Sequence, residues 1–291
     1  MNKEKISDLR TRIAQLKVAR EDLREPLDFY SKILDAYDSC DASDFGEPFT
    51  PPAAAAKGPY PFIALGETEL DWNAAAPLFR SLCKTFIENV EAEEDVERAA
   101  ETADEDIASV IRNAFRVFIS AGAGVSAEPT EEVTPQLAFI SFLAMRPFVD
   151  AYVAGARALL DNEDGVYEAV CPVCGGIAAM SALVREEGHR HLVCSACETS
   201  WLYKRTRCHL CGNEEPRTLG YIMAEGPGVE DCYTAATCEK CKQYHRMLDT
   251  RKKKFEIDIA LEAIAAAHLE ILAQREGYSP APGWRGLDNS N

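Results

Sequence analysis

The chain has 291 residues, of which 47% are hydrophobic and 27% are charged. This length allows one large domain or two, and the composition is typical of a folded globular protein rather than a disordered or fibrous one. The 48 acidic side chains outnumber the 31 basic ones and give a formal net charge of -17, which argues against general binding to the phosphate backbone of nucleic acids.

The first part of the chain, up to about residue 170, has the pattern of a helical domain. Near the N-terminus, apolar residues recur at intervals of three and four, which predicts an amphipathic helix. Its apolar stripe consists of Ile6, Leu9, Ile13 and Leu16. A proline- and glycine-rich segment over 46–61 predicts a surface loop. Further helices are predicted around it, at about 27–37, 73–90 and 104–120.

Thr134 followed by Pro135 marks the start of another predicted helix, because threonine caps helix N-termini and proline is favoured at the first helical position. We expect this helix to run to about residue 160, to form the core of the helical domain and to be kinked by Pro147. Charged residues and a proline interrupt its apolar run, so no membrane span is predicted. The N-terminus is too charged for a secretory signal, and we expect a cytoplasmic protein.

Eleven cysteines are present, and eight of them form four C-x-x-C pairs after residue 170. In a reducing cytosol, four C-x-x-C pairs indicate metal ligation more strongly than they indicate disulfide bonds. A C-x-x-C turn presents two thiolates to one point about 2.3 Å from each sulfur, so two such turns complete a tetrahedron. The candidate ligands are Cys171, Cys174, Cys194, Cys197, Cys208, Cys211, Cys238 and Cys241.

The four pairs form an internal repeat. In each unit a C-x-x-C-Gly motif precedes a second C-x-x-C, after 18 residues in the first unit and 25 in the second, and ten residues separate the units. Sequential pairing predicts one site within 171–197 and a second within 208–241, while interleaved pairing is left open. Gly175 and Gly212 suit a turn that needs positive φ.

Four-thiolate ligation suits zinc and a single iron ion equally well, so the ligands do not identify the metal. Such sites are closed and leave no open position for catalysis, and no nucleotide-binding loop or catalytic triad can be nominated elsewhere. We therefore predict no catalytic residue, no cofactor-binding residue and no enzymatic activity. Since four thiolates fill each site, we do not expect ligation by the flanking His189, His191, His209 and His245.

The cysteine-rich region differs from the rest of the chain in both structure and charge. Segments 191–193 and 201–203 are prone to form strands, whereas 255–275 returns to helical composition and the end from residue 279 is expected to be a loose tail. Residues 171–254 contain 13 basic and 10 acidic residues. Eight thiolates that bind two divalent metal ions would carry a net negative charge larger than this small positive excess. The basic side chains are therefore expected to neutralise the charge of the metal centres in part.

The order of the motifs, together with their flanking residues, carries a resemblance to a known family. The segments are CPVCG at 171–175, RHLVCSACETSW at 190–201, RCHLC at 207–211, CEKCKQY at 238–244, DIAL at 258–261 and EGY at 276–278. They resemble the formate dehydrogenase accessory protein FdhE family over about residues 170–280. The N-terminal half is similar to that family only in length and helicity.

The resemblance implies an α+β protein. Its parts would be a helical N-terminal domain at 1–168, two tandem rubredoxin-like four-cysteine metal ribbons at 169–205 and 206–254, and a C-terminal helix and tail at 255–291. It implies a chaperone-like maturation factor that binds the catalytic subunit of a molybdenum or tungsten formate dehydrogenase and is needed for its activity. Zinc or iron would be held by the eight paired cysteines.

Two other functions and one question of assembly are left open. The first alternative is a rubredoxin-like iron protein that transfers electrons, which requires reversible one-electron chemistry at a bound iron. The second is a zinc-ribbon adaptor for nucleic acids, against which the charge balance argues. Whether the protein forms a homodimer is also left open.

Overall fold

The computed structural model describes residues 3–39, 60–65, 68, 70–122, 133–160, 168–226, 228–252 and 256–281. Within them a helical half is followed by one β-sheet and two closing helices. The predicted α+β class, with helices in the N-terminal half and two four-cysteine groups after it, is confirmed.

The described part of the helical half contains six α-helices. They are α1 (Lys3–Ala19), α2 (Arg24–Asp38), α3 (Ala76–Asn89), α4 (Glu94–Ala100), α5 (Asp104–Gly122) and α6 (Pro135–Arg157). Helix α1 buries the four apolar residues of the predicted stripe. Helix α2 begins at Arg24, before the predicted start, because Pro26 falls in the first turn, where a missing N–H costs no intrahelical hydrogen bond.

Helix α6 is the central helix of this half. Thr134 caps it as predicted, since its hydroxyl accepts a hydrogen bond of 3.2 Å from the backbone N–H of Leu137. Pro147 lies inside the helix. By length and composition α6 could cross a membrane, but 72% of its apolar window is buried within the protein. The core helix of a folded domain also meets this criterion of length and composition. Most of the apolar window of α6 is covered by other parts of the chain, as in such a core helix.

The cysteine-rich half forms a single mixed sheet in the described residues. Its strands are β1 (Ala178–Val184), β2 (His189–Cys194), β3 (Ser200–Leu202), β4 (Leu219–Ile222), β5 (Tyr233–Cys238), β6 (Gln243–Asp249) and β7 (Ser279–Pro280). The order across the sheet is β3-β2-β1-β6-β5-β4, and β7 pairs with β6. Strands β1 to β3 belong to the first cysteine unit, and β4 to β6 belong to the second.

The two units join through one parallel strand pair. Within each unit the neighbouring strands are antiparallel. Between units β1 runs parallel to β6, with Met180 opposite Arg246 and Leu183 opposite Asp249. The tandem ribbons predicted from the repeat therefore share one sheet, whose outermost strands are β3 and β4.

The C-terminal segment differs from its prediction in two ways. The single helix expected over 255–275 is two helices, α7 (Ile259–Ala265) and α8 (Ala267–Arg275), because Ala266 between them leaves helical geometry with ψ 5°. The start of the expected loose tail forms β7, whose Ser279 pairs with Gln243. Residues 282–291 of that tail lie outside the described part.

The closing helices connect the two halves. Helix α7 contacts α1 and α2, whereas α8 contacts β4 and β5. The buried apolar side chains of the helices, the sheet and the first cysteine unit form one continuous core. The division of the chain into four units at the predicted boundaries stays a prediction.

Candidate metal centres

The eight paired cysteines lie in two groups, and the grouping follows the order of the chain. Within each group all four sulfur atoms lie within 4.8 Å of one another. The first group joins Cys171 to Cys197 at 3.7 Å and Cys174 to Cys194 at 3.4 Å between sulfurs. The second joins Cys208 to Cys241 at 3.9 Å and Cys211 to Cys238 at 3.7 Å.

These separations fit a tetrahedral metal ion. Four sulfurs placed about 2.3 Å from a central zinc ion are about 3.8 Å apart from one another. The distances between the sulfurs scatter around that value in both groups. The donor set and its spacing therefore suit a divalent zinc or iron ion in each group.

All four C-x-x-C turns share one backbone geometry. The residue after the second cysteine has a positive φ in each turn, namely Gly175 at 75°, Glu198 at 55°, Gly212 at 72° and Lys242 at 54°. Its N–H donates to the carbonyl of the first cysteine, as from Gly212 to Cys208 at 2.9 Å. The sequence pattern predicted positive φ at the two glycines but not at Glu198 and Lys242, which adopt the same conformation.

The first group, site one, lies between the sheet and the helical half. Backbone N–H groups of Phe62 and Ile63 donate to the carbonyls of Pro172 and Val173 at 3.0 and 2.9 Å. Arg157 at the end of α6 donates to the carbonyl of Cys197 at 2.8 Å. Both cysteine turns of site one are therefore held by the helical half.

A buried charge network lies beside site one. Arg146 of α6 pairs with Asp258, the cap of α7, and with Glu198 at 2.6 Å. Burial alone would lower the pKa of Arg146, but the two carboxylates hold it well above its usual value. Tyr30 of α2 donates a hydrogen bond of 2.7 Å to Asp258. This network ties a cysteine turn to three helices.

The second group, site two, is more open to solvent. Cys211 is exposed and Cys241 is half-buried, whereas the cysteines of site one are buried. Burial opposes ionisation of Cys238, but N–H groups of Cys241 and Lys240 and the Asn213 side chain direct donors at its sulfur and lower its pKa to about 7. Donors of this kind stabilise a thiolate and orient metal ligands.

The four flanking histidines lie outside both sulfur groups. His191 lies 3.1 Å from the Ser200 hydroxyl, while His209 and His245 meet edge to face with ring centroids 4.5 Å apart. Burial, and then Arg190, lower the pKa of His209 to about 3. Trp201 and Tyr244, each of which follows the second cysteine pair of its unit, are core residues at 0% and 3% exposed.

Arg190 was missed by sequence reasoning. It lies in β2, is 5% exposed, and contacts both His209 and His245. The three side chains converge from β2, from the turn of site two and from β6. No local pattern in the sequence indicates this contact, because it depends on the joining of the two units across the sheet.

Comparison with known proteins supports a single family. Residues 170–205 match the family model described as "FdhE, central domain". A "Protein FdhE homolog" of Aquifex aeolicus (strain VF5) is 39% identical over 111 residues, which cover 37% of this chain and 38% of the relative. The homolog of Shewanella sp. (strain MR-4) is 26% identical over 181 residues, which cover 60% of this chain and 58% of the relative. The chain thus spans about half the length of the relatives it matches.

The likeness of fold extends over the whole chain. The crystal structure of the FdhE protein from Pseudomonas aeruginosa has a TM-score of 0.67 to this structure at 17% sequence identity, covering 100% of this chain and 98% of that one. The matched central domain holds site one, and the curated relatives carry the same family name. The chain is thus similar to FdhE proteins in the sequence of this central segment, and it shares its fold with the FdhE protein of Pseudomonas aeruginosa.

Proposed function

We propose that this protein is a cytoplasmic accessory factor that binds the catalytic subunit of a molybdenum or tungsten formate dehydrogenase and is needed for that enzyme to become active. Its activity is binding rather than turnover. Each four-cysteine site holds one zinc or iron ion, ligated by Cys171, Cys174, Cys194 and Cys197 in site one and by Cys208, Cys211, Cys238 and Cys241 in site two.

The observation that carries this proposal is the geometry of the two sulfur groups within a chain that resembles FdhE proteins in its central segment and in its fold. Two closed four-thiolate sites stabilise small folds and leave no open coordination position for a substrate. Site one is embedded between the helical half and the sheet, so a bound ion there fixes the surface that both halves form. A partner that recognises the surface formed by both halves would bind only when the two halves are assembled.

Capture of a tagged full-length chain tests the proposal directly. The tagged protein is expressed in anaerobically grown cells of its source, and co-purifying proteins are identified. We expect enrichment of a formate dehydrogenase catalytic subunit, and loss of that enrichment in a chain with all four cysteines of one site replaced by serine. A matched control, Cys83→Ser, changes a buried cysteine outside both sites and should retain the subunit. Recovery of wild-type protein without the subunit, while the enzyme is being made, would contradict the proposal.

Electron transfer is the second candidate, because one of the cysteines of site two, Cys211, is exposed. A rubredoxin-like carrier requires iron at this site and reversible one-electron reduction. Anaerobic purification followed by metal analysis and voltammetry separates the two functions. A colourless protein with zinc in site two would rule out the carrier and leave the accessory function intact.

A further inference from the structure

A small cavity opens on the sheet at the second cysteine unit. It has a volume of about 30 Å³, which exceeds the roughly 10–15 Å³ that one water molecule needs. Three arginines line it, from β2 and from the connection between the two units, namely Arg190, Arg205 and Arg207. The other lining residues include His245, Thr237 and Tyr221 together with Cys208 and Cys238 of site two, and no aspartate or glutamate is among the described residues that line it.

Arg190 forms the buried floor of this cavity. One terminal nitrogen donates to the carbonyl of Arg207 at 2.8 Å, and the other lies 3.1 Å from His209 Nδ1 and 2.9 Å from His245 Nε2. The Nε atom is buried and has no hydrogen-bond acceptor among the described residues. A buried guanidinium is costly unless a counter-charge and acceptors satisfy it, and here neutral groups supply all the acceptors.

In the part of the chain that the structure describes, Arg190 lacks the carboxylate partners that Arg146 has. Burial opposes the charge of both arginines. Asp258 and Glu198 more than compensate at Arg146, so its pKa is raised. At Arg190 burial prevails and the pKa is lowered, because no carboxylate faces it and only Tyr221, Tyr203 and Cys208 oppose the shift. Among the described residues, the buried guanidinium of Arg146 in α6 therefore has carboxylate partners, whereas that of Arg190 in β2 has none.

The rim of the cavity adds further positive charge. Arg205 is exposed, and it has no ion pair with a described residue. Arg207 lies 3.5 Å from Glu214, whose other oxygen is held by Lys204 at 2.6 Å. Tyr221 on the outermost strand β4 also lines the cavity and is 54% exposed. The opening thus offers guanidinium and hydroxyl donors around a space that is open to solvent.

We propose that this cavity is a binding site for one carboxylate group, held by Arg190 at the floor and by Arg205 and Arg207 at the rim. A guanidinium presents a planar fork that matches the two oxygens of a carboxylate, and the cavity has room for a group of that size. The carboxylate comes from a free small acid or from a glutamate or aspartate of a partner protein. This proposal rests on the contacts of the residues around the cavity, and it does not depend on the proposed accessory function.

Nuclear magnetic resonance titration of the zinc-loaded full chain tests this site. Sodium acetate is added against sodium chloride at constant ionic strength, and the amide of Gly220 and the Nε–H of Arg190 are followed. We expect saturable shifts at both groups. Arg205→Gln should weaken binding about tenfold, since one charge-assisted hydrogen bond is lost. Lys240→Gln, which removes a charge from an exposed lysine beside Cys241 but outside the cavity, should leave the affinity unchanged.

The two sources of the carboxylate are separated by a second ligand, a blocked glycyl-glutamyl-glycine peptide. Tighter binding of the peptide than of acetate assigns the site to a protein side chain, and equal or weaker binding assigns it to a free acid. Shifts that do not saturate, or that are the same in Arg205→Gln and wild type, would overturn the proposal. So would binding of sodium phosphate with no binding of acetate. Arg190→Gln should abolish binding, but if it unfolds, Arg205→Gln decides.

Discussion

Glu198, the residue that follows the last cysteine of site one, forms an ion pair of 2.6 Å with Arg146 in the middle of helix α6. Arg146 also pairs with Asp258, the residue that caps α7. One guanidinium therefore links a cysteine turn, the central helix and the closing helix. The side chain of Asp258 is 0% exposed, so the removal of Arg146 would leave a buried carboxylate without its counter-charge.

Replacement of this arginine should destabilise the whole protein. We expect Arg146→Met to lower the free energy of unfolding by about 3–5 kcal/mol, the usual cost of breaking a buried pair from one side. Denaturant unfolding of the zinc-loaded chain measures it. Arg10→Met is the matched control, because Arg10 makes two exposed ion pairs with Asp35 and Asp38 and should cost less than about 1 kcal/mol. Equal losses in the two variants would refute this role of the buried network.

Stability should fall as pH rises through the neutral range because of Glu262. Burial raises the pKa of this carboxyl to about 8, although Tyr233 and Arg12 act in the opposite direction and Asp258 and Glu230 add to the rise. The folded state therefore holds a proton that the unfolded state releases near pH 4.5. The stabilisation is full below that pH and is lost progressively up to about pH 8, at up to about 1.4 kcal/mol per pH unit.

Comparison with Glu262→Gln isolates this contribution. The amide stays neutral and can still accept from Tyr233, so the stability difference between the variant and wild type should increase in favour of the variant from pH 5 to pH 8. Denaturant midpoints measured at each pH in both zinc-loaded proteins test this. The comparison cancels the pH dependence of metal binding, which both proteins share. A difference that stays constant across this range would contradict the raised pKa.

Site two should release its metal before site one when a chelator is added. Cys211 is exposed and Cys241 is half-buried, whereas all four cysteines of site one are buried. We expect zinc release in two phases of one equivalent each. Cys211→Ser should remove the fast phase and Cys171→Ser the slow one, as followed by a coloured zinc indicator. A single phase of two equivalents would show that the sites do not differ in access.

The residue after each cysteine pair has a positive φ. Substitutions at two of these equivalent positions, Gly212 and Lys242, should therefore have opposite effects on stability. Gly212→Ala adds a Cβ that meets only the Arg207 side chain at 3.6 Å, so the expected loss of about 1 kcal/mol comes from the left-handed backbone. Lys242→Gly should be more stable than Lys242→Ala by about 1 kcal/mol, because both lose the ion pair with Glu239 and only glycine relieves the conformation. Thermal unfolding measures both. Equal stability of the two Lys242 variants would count against this explanation.

Local patterns in the sequence predicted most of the described helices, two of the seven described strands and all eight cysteines of the candidate sites. The stripe in α1, the cap at Thr134 and the spacing of the cysteine pairs are set by residues within a few positions of one another. The parallel pairing of β1 with β6 joins residues more than 60 positions apart, and nothing local specifies it. The cluster around Arg190 follows from that pairing and could not be predicted for the same reason.

The parallel joint between β1 and β6 also determines how the two cysteine units are related. Equivalent strands of the units point in the same direction, so one unit maps onto the other by translation along the sheet rather than by rotation about a dyad. A dyad would bury the same edge of both units and close the assembly. With translation, the outer edge of β4 in the second unit corresponds to one edge of β1 in the first unit. That edge of β1 is covered by β6. A duplicated third unit joined in the same way would lengthen the sheet as a repeat lengthens a solenoid.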